Sequence, residues 1–226
     1  MKRIAFFGGS FDPVHNAHLR IAQKLPGLFM LDEFNFVPAF HAPHKPDLEP
    51  LSAFHRFAML SVMTQDEPLI KVSTIELDAP EKPYTIETAA KLLDKYGDSA
   101  KIFFVIGADS WRDITTWREW EKLLTLANFI VVERPGVETS FSHVTTINGV
   151  NEEIAERVTD LRGKSEMEIV VQATETGEEK IYFTDAVKLD ISATGIRRKI
   201  KENAADWRVD LPVEVAKYIE KYQIYK

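Results

Sequence analysis

RIAFFGGSFDPVHNAHLRIAQKL, residues 3–25, is the stretch whose reading decides the fold. The apolar run Ile4–Phe7 predicts a buried strand, and HLRIAQKL (18–25) predicts a helix. Between them lie two glycines, the turn-forming pair Asp12-Pro13 and two histidines. Such a loop is poor core material and unusual for a plain turn. Gly8 and Gly9 let backbone N–H groups approach a ligand with no side chain in the way. His15 and His18 are three residues apart, so on an incipient helix they project from one face. A helix N-terminus favours anions, and two imidazole donors beside it point to phosphate. The loop is neither a Walker loop nor GxGxxG: the one GKS, at 163–165, has Val158 where the first glycine would stand.

Outward from this unit the elements alternate. EFNFVPA (33–39) reads as a strand, followed by a Pro/His-rich loop to about residue 50. Ser52 can cap a helix AFHRFAMLSVMTQ, and IKVST (70–74) is a short strand. TIETAAKLLDKYG (85–97) predicts a helix with Thr85 as N-cap and Gly97 as its stop. KIFFVIG (101–107) and FIVVE (129–133) are buried strands with a helix WREWEKLLTLA between them. This order implies an α/β fold: a doubly wound, mostly parallel sheet with helices on both faces. Ligands of such sheets bind beyond the carboxyl ends of the strands, where strand order reverses. Residues 8–18 and GADSW, after Ile106, lie there. Beyond Gly136 the pattern changes: EEIAERVTDLR (152–162) reads as a helix and 168–185 as a hairpin turning at Thr176-Gly177. GIRRKIKEN and a segment from Pro212 make a helical C-terminal end. No linker marks a boundary, so residues 1–226 are expected to form a single domain, with 137–186 a less typical elaborated segment.

Composition narrows the function classes. The 226 residues are 45% hydrophobic and 28% charged, the balance of an ordinary soluble globular protein. With no cysteine there is no disulfide or thiolate metal site, so a metal would need His, Asp, Glu or water. Lys2 and Arg3 precede IAFF as a secretory start would, but the apolar run breaks at Gly8. No run approaches a membrane span, and a cytoplasmic protein is expected. The net charge of −7 argues against nonspecific nucleic-acid binding, but a local cluster such as RRKIK (197–201) can still hold a small anion.

GGSFDPVHNAH resembles the nucleotidylyltransferase signature, a strand running into GxFDPxHxGH. ISATGIRR (191–198) resembles the ISSTxIR motif of its adenylyltransferase branch. PHK (43–45), PYTIET (83–88), IGADSW (106–111), TTWREW (115–120), ERPG (133–136) and the ending LPVEVAKYIEKYQIY resemble the bacterial nicotinate mononucleotide adenylyltransferases. The likeness covers residues 3–136 and about 187–226. Three departures stand out: Ala17 for the family's glycine, Ala193 for the second serine of ISST, and Pro83 for the serine of SYT.

The resemblance implies transfer of the AMP moiety of ATP to nicotinate mononucleotide, releasing pyrophosphate in NAD biosynthesis. It implies Mg²⁺ with ATP, small-molecule substrates as partners, and no metal held by protein side chains. In that reading His15, His18 and Arg197 are catalytic. Gly8, Gly9, Ser10, Phe11, Gly107, Asp109, Arg134, Ser192 and Thr194 bind ATP. Lys45, Tyr84, Thr85 and Trp117 bind the mononucleotide, Trp117 by stacking on the pyridine ring and Thr85 by holding its carboxylate at a helix start.

Blander readings stand beside these. Trp117 and Trp120 sit at helical spacing and could both be core, as Trp111 is expected to be. Asp109 could be a simple N-cap, and Arg198 and Lys199 a solvated helix face. His15, His18, His41 and His44 could instead hold the metal of a hydrolase. Nicotinamide mononucleotide or another mononucleotide could be the acceptor, and a non-catalytic nucleotide-binding protein would keep the same fold. A homo-oligomer, and any role for His41, are left open by the sequence.

Overall fold

A computed structural model describes residues 1–40, 51–79, 83–136, 139–145, 151–175, 177 and 179–226. In chain order the elements are β1 (Lys2–Gly9), α1 (Asn16–Phe29), β2 (Glu33–Pro38), α2 (Ala53–Thr64), β3 (Ile70–Val72), α3 (Thr85–Tyr96), β4 (Ala100–Gly107), α4 (Ala108–Arg112), α5 (Trp120–Leu126) and β5 (Asn128–Val132). Then follow α6 (Ser142–Thr145), α7 (Asn151–Arg157), β6 (Val158–Asp160), α8 (Glu166–Thr174), β7 (Ile181–Thr184), α9 (Ala193–Lys201) and α10 (Val213–Tyr222).

The strands form one sheet in the order β3-β2-β1-β4-β5-β7-β6, and every pairing in it is parallel. The chain winds outward from β1 to β3, then returns to the other side of β1 to begin again with β4. Strand order therefore reverses between β1 and β4, and a crevice opens at their carboxyl ends.

Alternation along the strands sorts the core into two layers, because successive side chains leave opposite faces of a sheet. Ala5, Phe7, Phe34, Phe36, Phe103 and Val105 pack on one face with Leu25 of α1, Leu60 of α2 and Ile219 of α10. Ile4, Phe6, Ile102, Phe104 and Ile106 pack on the other with Leu92 of α3, Trp111 of α4 and Leu123 of α5. With both faces covered, the central strands read as continuous apolar runs, which is why they are legible in the sequence.

Several boundaries differ from the sequence expectation. The predicted hairpin over 168–185 is instead helix α8 followed by strand β7. Ile169, Val170 and Val171 suggest a strand by propensity, but Ser165 accepts from Glu168 N–H at 3.4 Å while the Glu168 carboxylate accepts from Ser165 N–H at 2.8 Å. That reciprocal cap starts a helix. The helix expected over 152–162 stops at Arg157, and Val158–Asp160 joins the sheet beside β7. The helix expected from Trp117 begins at Trp120, after Glu119 in the left-handed region at φ 51°. α3 is capped by Tyr84, with Thr85 its first residue, and Pro212 occupies the cap of α10. Of the turn expected at Thr176-Gly177, residue 176 lies outside the described residues.

Candidate active site

β1 delivers its last residues to the crevice. A Cβ on Gly8 would meet nothing within 4 Å, so the strand end there is open. Gly9 has a different reason: a Cβ would come within 2.9 Å of the Phe11 ring. Phe11 is buried, takes φ 48°, and sets its ring edge-on to Phe7, Phe36 and His18. The loop is held from behind by Arg56, which is only 1% exposed. Its guanidinium donates to the carbonyls of Ser10 at 2.8 Å, Ala39 at 2.7 Å, Phe40 at 3.2 Å and Leu51 at 2.9 Å. A buried cation is tolerable only when its donors are satisfied in this way.

His15 caps α1 with an extended backbone, and His18 sits one turn on. Their rings stack 3.7 Å apart. Nδ1 of His18 accepts from the His15 backbone N–H at 3.2 Å. In the neutral ring this leaves the proton on Nε2, so His18 is a donor on its free side. Nδ1 of His15 is buried and has no hydrogen-bond partner among the described residues. Burial, then the charge of Arg134, brings the His15 pKa down to about 4, against the weaker opposing pull of Asp210. Burial, then His15 itself, holds His18 well below the usual imidazole range. Both rings are neutral at neutral pH.

The C-terminal motif meets this loop. Ser192 caps α9, its hydroxyl oxygen accepting from Gly195 N–H at 3.0 Å, which leaves the hydroxyl proton to donate elsewhere. Arg197 donates to the backbone carbonyl of Asp12 and to the Thr194 hydroxyl, the latter at 3.2 Å. Of the remaining basic residues, Arg198 is exposed, but Lys199 pairs with Asp206 at 2.9 Å and Asp210 at 3.1 Å. Lys199 is therefore a tie between α9 and the following turn, not part of a solvated face.

On the other side of the switch point, Gly107 ends β4 and caps α4, whose first turn carries Asp109. Arg134, just past β5, lies 3.7 Å from Asp109 and 2.8 Å from Asp190. It also lines a second cleft, of about 490 Å³, with Pro135, Gly136, Val187 and Lys188.

The cleft at the ends of β1 and β4, about 290 Å³, is walled by Gly8, Gly9, Ser10, Tyr84, Thr85, Asp109 and Trp117 among others. The N-terminus of α3 faces it through Tyr84 and Thr85. Trp111 and Trp120 are core, whereas Trp117 lies outside any helix, partly exposed, on the cleft wall. Lys45, His41 and His44 lie outside the described residues. Two cleft residues were missed by sequence reasoning. Burial raises the Glu76 carboxyl to about 7, although a Thr88 hydroxyl at 3.1 Å and the charges of Arg56 and Lys91 pull it down. Arg118 lies 4.9 Å over the Tyr84 ring and 3.3 Å from Glu87. Nothing local in the sequence distinguishes either from a surface residue.

Among the described residues no three His, Asp or Glu side chains cluster as metal ligands, and no helix is long and apolar enough to cross a membrane. The Cytidylyltransferase-like family model matches residues 6–199. A protein of Citrifermentans bemidjiense named "Probable nicotinate-nucleotide adenylyltransferase" is 35% identical over 99% of this chain and 98% of its own. A Thermoanaerobacter protein of the same name is 34% identical over 99% and 94%. Among solved structures, Plasmodium falciparum nicotinic acid mononucleotide adenylyltransferase complexed with NaAD superposes with a TM-score of 0.71 at 21% identity, covering 100% of this chain and 98% of that one. The fold is thus the Rossmann-like fold of the nucleotidylyltransferases, and the chain belongs to the cytidylyltransferase-like family and, within it, to the nicotinate-nucleotide adenylyltransferases.

Proposed function

We propose that the cleft between the ends of β1 and β4 joins ATP to nicotinate mononucleotide, with the residues named above divided between the two substrates. A phosphate oxygen of the mononucleotide attacks the α-phosphorus of ATP in line. The new O–P bond forms as the bond to the β-phosphate oxygen breaks, and pyrophosphate leaves. Such a reaction asks the protein for positioning and charge stabilisation more than for covalent chemistry. The observation that carries this reading is that one cleft is walled at once by the open end of β1, by Asp109, by the N-terminus of α3 and by Trp117.

His18 donates from Nε2 to the reacting phosphates, and His15 offers its unpartnered ring nitrogen beside it. Gly8, Gly9 and Ser10 wall the cleft, Gly8 with no atom where a Cβ would stand, and in this reading backbone N–H groups of Gly8 to Phe11 meet the ATP phosphates. Arg197, with Ser192 and Thr194 at the start of α9, holds the β- and γ-phosphates. Gly107 and Asp109 receive the ribose, and Arg134 borders the ATP site. Mg²⁺ accompanies ATP. It would be held through the phosphates and water, since no cluster of three acidic or imidazole ligands occurs among the described residues, and would supply positive charge to the leaving pyrophosphate. Trp117 stacks on the pyridine ring, and Tyr84 and Thr85 hold its carboxylate at the positive end of α3. Lys45 meets the acceptor phosphate. Partners in this reading are small molecules, the compartment is the cytoplasm, and the chain acts as one domain.

Purified protein with ATP and Mg²⁺ tests it. Pyrophosphate should be released with nicotinate mononucleotide and far less with the amide analogue. Equal release with the amide would overturn the acceptor half, and silence with both would overturn the reading.

A further inference from the structure

The chain ends by folding back on its beginning. After α10 the backbone enters the left-handed region at Gln223 and again at Tyr225, with φ of 52° and 69°. Residues other than glycine occupy that region at a cost, so a contact must compensate. The contact is with the phosphate loop: the Tyr225 hydroxyl donates to Oδ1 of Asp12 at 2.5 Å. Oδ2 of the same carboxylate accepts from the Leu51 N–H at 3.4 Å, and the backbone carbonyl of Asp12 accepts from Arg197. Asp12 is 9% exposed, so its charge is stabilised by these few donors and little by water.

We propose that Tyr225 is a positioning residue for adenylyl transfer: its hydroxyl clamps the Asp12 carboxylate and so fixes the carbonyl on which the Arg197 guanidinium rests. Tyr225 itself lines neither cleft. Its influence reaches the phosphates through Asp12 and Arg197, and the proposal rests on Arg197 as the holder of the leaving pyrophosphate. Burial and the Asp12 charge push the phenol's pKa upward, against Arg197 and Arg56, so it remains a protonated donor throughout the working range.

Tyr225→Phe removes the hydroxyl and keeps the ring. A hydrogen bond to a charged group supports a roughly tenfold fall in kcat. The KM for the acceptor should stay within about twofold and the melting temperature should fall by only a few degrees, leaving the protein folded at the assay temperature, since the ring still packs. In an Arg197→Ala background the same substitution should cost less than about twofold, because the two act in series. Normal kinetics of Tyr225→Phe, a fall explained by lost melting temperature, or a tenfold cost that persists without Arg197 would each overturn the proposal. A wild-type protein that forms no dinucleotide would instead overturn the reading of the site, and the positioning role with it.

Discussion

Acid should destabilise this protein through His15, by an amount the structure sets. His15 is 5% exposed and its pKa is lowered from 6.5 to about 4, while the unfolded chain keeps the ordinary value. Between these values the unfolded chain binds the extra proton, so stability falls as pH drops. The contribution is negligible above about pH 7. At about pH 5 it amounts to roughly 2 kcal/mol, and its limit near pH 4 and below is about 3 kcal/mol, because each tenfold change in proton affinity is worth ~1.4 kcal/mol. The perturbation is His15→Gln, which keeps a polar side chain of similar reach without titrating. Urea melts of both proteins from about pH 7 to 5 should converge as wild type loses the extra ~2 kcal/mol. Asp210 and Arg134 face His15 in both proteins, and His18, whose pKa His15 helps hold down, stays buried in both, so the difference reads His15 together with its effect on His18. Tripolyphosphate extends the test: if the His15 nitrogen faces phosphate, the anion favours the charged ring and should stabilise wild type more at the lower pH than at the higher. Parallel loss of stability in the two proteins would refute the neutral, buried His15.

Other outcomes follow from the same geometry. His18→Ala removes a preorganised Nε2–H donor and should lower kcat by about 10² to 10³ with the fold intact by circular dichroism; a loss under about tenfold would remove His18 from the reacting phosphates. Trp117→Ala should raise the acceptor KM by about tenfold while the KM for ATP holds, since stacking is worth about 1 kcal/mol or more; an unchanged acceptor KM would end the stacking role. Arg56→Met strands the carbonyls of Ser10, Ala39, Phe40 and Leu51 and should cost roughly 3–5 kcal/mol in urea unfolding. A cost below about 1 kcal/mol would show that water reaches those carbonyls instead.

Particular residues show what local sequence can and cannot carry. Ile4–Phe7 and KIFFVIG were readable as strands because a parallel strand covered on both faces is apolar throughout. α8 was misread because three β-branched residues outweighed the start signal, although SEME (165–168) spells a capping box. β6 could not be read at all: Val158–Asp160 is too short to show a period and exists only through pairing with β7. Among the site candidates, His15 and His18 were singled out because a strand end running into a helix start announces itself locally, whereas Thr85 was read locally only as a helix cap, which the structure gives to Tyr84, and took its site role from the resemblance. Spacing could not tell Trp117 from Trp120, and only the resemblance set it apart; in the structure it lies on the cleft wall while tryptophans 111 and 120 are core.

The sequence by itself determined the alternating β-α core over residues 3–136 and the phosphate character expected of GGSFDPVHNAH, because periodicity, turn chemistry and helix caps act over a few residues, whereas the joining of ISATGIRR to the same site was what the resemblance implied. The contacts that hold the site rigid were decided by the tertiary structure. Arg197 reaches Asp12, Tyr225 reaches the same residue from the other end of the chain, Arg56 gathers four carbonyls, and burial retunes His15 and Glu76. Each depends on groups brought together across the sheet and on the water excluded between them, and neither distance nor desolvation is written in any local run of residues.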